Sequence, residues 1–435
     1  MSADTPKPGW KAATLGSLGV FYRGRGGTKA DARVIGIPCI RYGDLYTQHN
    51  DVIRVIAAFI APERASAYTS LQAGDVVFAG SGETHEEIGR AAAFLGPEPA
   101  VVGADTIVFR PGSGLDPAYL GYAVNATQAA RYKARLGQGS SVIHIGTGQL
   151  RELSLDKPPL PEQRRIAEIL DTLDEAIRKT EQVIAKLQQM KQGLLHDLLT
   201  RGIDEHGELR DPERHPEQFK DSPLGRIPRE WEVSSVAEQF DITAGITLGA
   251  HRRPRHHPHP YLRVANVYRD RIDLSDVASL EARPNDLLGK TLASGDLLVV
   301  EGHANPDEIG RCAMATEEVD GYTFQNHLFR LRPTQLSAGF ALLWMNGAST
   351  RRYWWRMCST SSGLNTINRS LLSAVPVAVL PVPEQERVLA FARGASSRIE
   401  QESEALRKLR TLKHGLMDDL LTGRVRVPIP GAADQ

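Results

Sequence analysis

The chain is poor in the residues that mark most specialised chemistries. Three cysteines, Cys39, Cys312 and Cys358, lie far apart in 435 residues. An odd, scattered set excludes a disulfide framework and a paired-cysteine zinc site, and suits a reducing compartment. No apolar run approaches the roughly 18–20 residues that span a bilayer. The best candidate, 371–380, is short and contains Pro376. The opening MSADTPKPGW lacks the basic and apolar segments of a secretory signal. A cytoplasmic protein with no membrane partner is expected. Charge of one sign is missing too, since the formal net charge is +0 at pH 7. That balance counts against a stand-alone nucleic-acid binder, which is usually basic. It leaves room for local basic loops, or for a partner that neutralises most of the phosphate.

Catalytic signatures are also absent. There is no G-x-x-x-x-G-K-[ST] phosphate loop, no H-E-x-x-H and no pair of CxxC. No Asn-Pro-Pro-aromatic tetrapeptide of the amino-methyltransferase kind occurs, and Pro306-Asp307-Glu308 lacks the lysine a nuclease site would add. The Ser/Thr run at 359–362 has no base at a motif spacing. Nothing in the sequence asks for catalysis, a metal or a cofactor.

What is present is a repeat. Residues 159–200 and 381–422 align without a gap at an offset of 222; both open Pro-x-Pro-Glu-Gln and both close Asp-Leu-Leu-Thr. Ile166, Leu173, Thr180, Leu187 and Leu194 recur every seven residues, with Ile169, Ala176, Val183 and Met190 in a second seam. Such a stripe predicts a long helix packed lengthwise on another. Roughly 40 residues at about 1.5 Å each give a rod of about 60 Å. The second copy has Val388, Ala395, Leu409 and Leu416 in one seam and Phe391, Ala405 and Leu412 in the other. Gly193 and Gly415 share a late position in the two rods. Glycine costs a helix about 1 kcal/mol there relative to alanine, so either a helix crosses closely or a partner docks.

The flanking sequence repeats as well. Trp231 follows Trp10 at 221, LASGDLLVV (292–300) answers LQAGDVVFA (71–79) at 221, EIGRCA answers EIGRAA at 221, and LFR (328–330) answers VFR (108–110) at 220. Short β-branched and aromatic runs at 33–40, 75–79, 106–110 and 141–145 predict strands, and 117–135 has helical spacing. The expected order is an α+β module (1–157), a rod (158–200), a polar surface linker (201–229), a second module (230–380), a second rod (381–425) and a short tail (426–435). If the stripes bury each other, the rods run antiparallel about a pseudo-two-fold axis.

The segment PPLPEQRRIAEILDTLDEAI with its sequel KLQQMKQGLLHDLLTRGI resembles type I restriction–modification specificity (S) subunits. The resemblance extends over FKDSPLGRIPREWEV, the GD and EIGR segments, SSGLNTI at 361–367 and both rods. It implies two target recognition domains joined by two long antiparallel coiled-coil helices, and a non-catalytic chain. Each domain would read one half of a split, asymmetric double-stranded DNA target. Two methyltransferase (M) subunits would dock on the rods, with Gly193, Leu194, Gly415 and Leu416 as partner-facing positions. Restriction/motor (R) subunits would join through that core, and S-adenosylmethionine, ATP and Mg would belong to the partners.

The resemblance suggests DNA-contacting candidates in loops before and around the first strands of each module, with Thr84 and Asn305 just after the Gly-Asp strands. Module one offers Arg23, Arg25 and Lys29, then Arg41 and Tyr42 of IRYGD, and Thr84. Module two offers Thr247, Arg252, Arg253 and Arg255, then Arg263 and Asn266 of LRVAN, and Asn305. Arginine can read guanine bidentately and asparagine adenine, while Arg and Lys also anchor phosphate. The alternative for each is an ordinary solvated loop charge. Thr84 and Asn305 sit in readout loops or in plain turns. His251, His256, His257 and His259 lack a carboxylate or cysteine framework and are expected in a loop rather than a metal site. A competing reading is a scaffold whose modules bind two proteins and no DNA.

Overall fold

Trp10 and Trp231 open the two modules in the same way. The strand after Trp10, Lys11–Thr14, pairs antiparallel with Ser154–Lys157, the last strand before the first long helix. After Trp231, Glu232–Ser235 pairs with Pro376–Val379. Each module is thus closed by its own ends, and each indole is delivered to the start of a long helix. The structure, a computed structural model, describes residues 9–358 and 365–428. The Ser/Thr run 359–362, most of SSGLNTI and the end of the tail lie outside the described residues. The chain divides into two compact units, Met1–Gln182 with Ser403–Gln435, and Val183–Glu402. Each unit therefore holds one module and part of each long helix.

In the first unit a five-stranded sheet runs Gly19–Arg23, Thr106–Pro111, Val76–Ala79, Ala91–Phe94, Val52–Ile53. A second runs Ala32–Arg33, Phe59–Ile60, Ile37–Ile40, Ala100–Val102, Thr69–Leu71. The second unit repeats both in shorter form: Phe240–Ala244, Leu328–Pro333, Leu297–Val300, Cys312–Met314, and Ala278–Glu281, Pro258–Leu262, Thr323–Phe324. Val76–Ala79 and Leu297–Val300 are fully buried, as strands covered on both faces must be apolar throughout. The predicted helix at 117–135 is two helices, Pro117–Ala123 and Thr127–Leu136.

Strand register corrects one alignment. Phe109 pairs with Val76 and Leu331 pairs with Leu297, so the true offset in this strand is 222, and VFR does not answer LFR. A slip of two residues keeps every side chain on its own face, which is why the apolar pattern could not expose it. The corrected register makes Arg110 and Arg332 equivalent. Arg110 grips buried Asp75 through two bonds of 2.8 Å, and Arg332 grips buried Asp296 through two of 2.7 Å. The repeated Gly-Asp is therefore a framework ion pair. The EIGR turn is framework too. Ile88 and Ile309 enter the cores, while Gly89 and Gly310 have φ of +71° and +65°, a region where a side chain is strained.

The long helices span Leu160–Thr200 and Val382–Leu421. Pro-x-Pro-Glu-Gln gives each helix its first turn and a buried clasp. Glu162 accepts from the Trp10 indole (3.0 Å) and from Arg426 (2.7 and 2.9 Å), the latter beyond the end of the second helix. Glu384 accepts from the Trp231 indole (3.1 Å), from Arg210 and from the Ile203 amide (3.0 Å), both beyond the end of the first helix. Gln163 and Gln385 accept from the backbone N–H of Asp116 and Ser337, at 2.8 and 3.0 Å. In the first unit the helices run antiparallel, since Glu162, Asp174 and Glu181 meet Arg426, Lys413 and Arg410 in that order. Residues 201–229 hold more than a surface connection. Ile203, Phe219 and Ile227 are buried, and Phe219–Ser222 pairs with Gly225–Pro228 as a hairpin.

The predicted apolar stripe is buried where a module covers it. Ile166, Leu170 and Ile177 are buried in the first unit and Leu198 and Leu199 in the second. Val183 and Met190, expected in the second seam, are 43% and 59% exposed. Away from the modules a helix has little to bury a second seam against.

Candidate nucleic-acid interface

Both modules thread a loop from the first strand of the main sheet into the smaller sheet. Cys39 pairs in parallel with Val101, and Tyr261 pairs in parallel with Thr323. This fixes these two strands as equivalents at an offset of 222, and counting back from them sets Arg33, Val34 and Ile35 against Arg255, His256 and His257. The strands that enter the loops sit at an offset of 221, so the loop of module two is one residue longer.

Each loop is pinned by a carboxylate. In module one buried Asp31 accepts from the Thr28 amide (3.2 Å), the Tyr68 hydroxyl (2.9 Å) and Arg64 Nε (3.1 Å). The Tyr68 and Thr28 bonds hold that carboxyl below its ordinary range. In module two Glu281 accepts from the backbone N–H of Arg255, His256 and His257, at 2.7, 3.0 and 2.9 Å. These N–H groups lower its pKa, Arg255 most. A carboxylate facing several backbone donors favours its charged form. Loops anchored at the base have less ordering entropy to lose when they meet a ligand.

The candidate residues divide by what their side chains already touch. Arg23, Arg25, Tyr42, Thr84, Thr247, Arg253 and Arg255 are exposed. The side chain of Lys29 lies outside the described residues. Arg41 is half-buried, and its Nη2 is buried without a hydrogen-bond partner among the described residues. Arg252 is engaged at 2.9–3.0 Å by Asp286 and donates to the Glu281 carbonyl. Arg263 donates to the carboxylate and the carbonyl of Asp276, both at 2.8 Å. Asn305 is exposed, but its Oδ1 caps the Asp307 amide at 3.0 Å.

Asn266 is buried. Its Oδ1 accepts from the Arg263 amide at 2.9 Å, and its Nδ2 donates to the carbonyls of Asp273 and Asp276. In module one Asp44 likewise accepts from the Arg41 amide at 2.8 Å. IRYGD and LRVAN thus share a turn whose last side chain accepts from the amide of its arginine, and Asn266 positions the turn. His256 and His257 are exposed, with their amides held by Glu281. Among the described residues no group of three or more His, Cys, Asp or Glu could hold a metal.

Sequence reasoning missed Val34 and Ile35. It placed them in a strand over 33–40, but that stretch is two short strands, Ala32–Arg33 and Ile37–Ile40, broken by a bend at 34–36, and both side chains stand out of the fold. Their only signal is the cross-module register, which the structure supplies. On the long helices, Gly193 and Gly415 have nothing within 4 Å of where a Cβ would sit, so no close crossing explains them. Leu194 and Leu416 are half-buried and pack against the cores of their own units. Residues adjacent on a helix lie about 100° apart, so an outward glycine next to an inward leucine is expected.

Known proteins share this architecture. Residues 9–189 match the type I restriction modification DNA specificity domain. The EcoKI type I restriction enzyme specificity subunit of Escherichia coli K12 is 22% identical over 402 residues, covering 89% of this chain and 82% of the relative. Among solved structures, the S subunit of a type I restriction–modification system from M. genitalium is 15% identical. It covers 97% of this chain and 98% of its own, with a TM-score of 0.52. A chain solved in work on complex assembly and conformational transition of the type I R-M system reaches a TM-score of 0.61 at 18% identity, covering 97% and 100%. No described helix is long and apolar enough to cross a membrane. The duplicated module, the paired long helices and near-full-length relatives of one kind converge: over nearly its whole length the chain is similar to type I restriction–modification specificity subunits, and its residues 9–189 carry their DNA specificity domain.

Proposed function

We propose that this chain reads a bipartite, asymmetric DNA target, one module per half-site, and docks two M subunits. The observation that carries the reading is one loop frame built twice with unlike tips. Equivalent frames suit two readers of the same kind of ligand, and unlike tips suit different half-sites. Arg23, Arg25, Tyr42, Thr84, Thr247, Arg253 and Arg255 are the exposed residues assigned to DNA. Arg252, Arg263, Asn266 and Asn305 are assigned to loop support, and half-buried Arg41, whose Nη2 has no hydrogen-bond partner among the described residues, stays among the DNA candidates.

The docking proposal rests on a repeated patch. Met190 and Gly193 are exposed on the first helix, and Leu412 and Gly415 are exposed on the second at an offset of 222. Identical partners, one per patch, fit such a repeat. R subunits would join through the M subunits, and S-adenosylmethionine, ATP and Mg would be bound by those partners in the cytoplasm.

Co-expression with M subunits should yield a complex of two M and one S that methylates a split target. Sequencing of methylated DNA from that host would identify it. A chain that stays alone and protects no DNA would sink the reading. DNA affinity of the complex should fall steeply with salt, because phosphate contacts release counterions. A scaffold that binds only proteins would show no such dependence.

A further inference from the structure

The two loop tips differ in chemistry at matched positions. Val34 and Ile35 are 89% and 85% exposed, the highest values among the exposed large apolar residues described. Module two presents His256 and His257 in their place. An exposed aliphatic pair on a carboxylate-pinned loop gains nothing for the fold. It can gain by covering apolar surface on a ligand. Arg23, exposed at the end of the strand that enters this loop, and Arg25, exposed within it, supply the positive charge that phosphate attracts. In a DNA groove the apolar group presented at a base edge is the C5-methyl of thymine.

Resting on the proposed DNA reading, we propose that Val34 and Ile35 recognise thymine methyl groups in the half-site of module one. Branched aliphatic side chains match that group. The imidazoles of module two can exchange hydrogen bonds with base edges instead, so the two halves of the target would be read by different forces.

The target is first mapped by methylation sequencing. Duplexes carrying it are then made with uracil in place of thymine in one half at a time, and the assembled M–S complex is titrated against each by fluorescence anisotropy. With uracil in one half, the unaltered complex should bind about four-fold more weakly per contacted methyl, the value of burying one such carbon. The V34S/I35S complex should bind both duplexes alike, at the weaker affinity. V34H/I35H, which copies the second module, should also lose the thymine preference. Tight binding with no uracil effect in either half would overturn the proposal. So would an effect that persists unchanged in both variants. Variants that lose M subunits, and lose affinity equally on both duplexes, would make the tip a protein contact and overturn it too. Absence of any DNA binding by the unaltered complex would instead refute the reading on which the proposal rests.

Discussion

Glu162 and Glu384 hold the same place in two helices but in unequal surroundings. The arginine on Glu384, Arg210, is 11% exposed, whereas Arg426 on Glu162 is 42% exposed. Solvent screens the second pair more. Glu384→Gln should therefore cost about 3 kcal/mol, as removing one partner of a buried pair does, and Glu162→Gln about half that. Urea denaturation of the two variants would test the ordering; equal losses would contradict it. A second residue-scale prediction concerns Lys133, which is buried, donates to the Gly89 carbonyl at 2.6 Å and has its pKa pushed down to about 7, chiefly by burial. A lysine with a lowered folded pKa binds fewer protons folded than unfolded. Stability should rise from about pH 7 towards the unfolded lysine value, near 10.4. Lys133→Met should flatten that slope in denaturation series across this range. Lys133 lies within the stretch 117–135 of helical spacing, where nothing in the sequence marks it out. Its burial depends on EIGR folding over it, which no local pattern encodes. Glu162 and Gln163 stood out as a repeated motif, but their partners lie 152 and 264 residues away for the Glu162 pairs.

At the scale of elements, the long helices were the most legible part of the chain, because a sustained heptad repeat suits little besides a helix packed along another surface. The strands were legible as apolar runs. Their register was not, because apolar alternation is blind to a shift of two. Nor was the break between Arg33 and Ile37, since Val34 and Ile35 have strong strand propensity yet sit in a bend between two strands. The helix patches give a prediction at this scale. Met190→Glu and Leu412→Glu place charge on exposed positions, so stability should change by no more than about 0.5 kcal/mol. Each should weaken one M docking event, and the double variant both. Native mass spectrometry of co-expressed complexes would show two M per S falling to one, then to none. Full occupancy in the double variant would remove the patch from the interface.

For the whole molecule, module and helix have separate jobs in the proposed function. Replacing residues 230–380 with the matching module of another S subunit should change one half of the methylated sequence and leave the other intact. Adding one heptad to both helices lengthens each by about 10 Å and should widen the unread gap by about three base pairs. Methylation sequencing of either variant decides; an unchanged gap contradicts a spacing role for the helices. The duplication was legible from offsets in the sequence. The division into units was not, because it cuts both long helices within unbroken runs of helical sequence.

That division has a temporal consequence. The second unit is one continuous stretch, Val183–Glu402, while the first requires Ser403–Gln435 as well as the N-terminal residues. A chain made from its N-terminus at about 5–20 residues per second therefore holds its first module unfinished until the last is complete. Glu162 and Trp10 wait on the ribosome for Arg426, while Glu384 finds Arg210 already made. The half synthesised first should be the last to resist protease, a reversal that stalled nascent chains of increasing length would reveal.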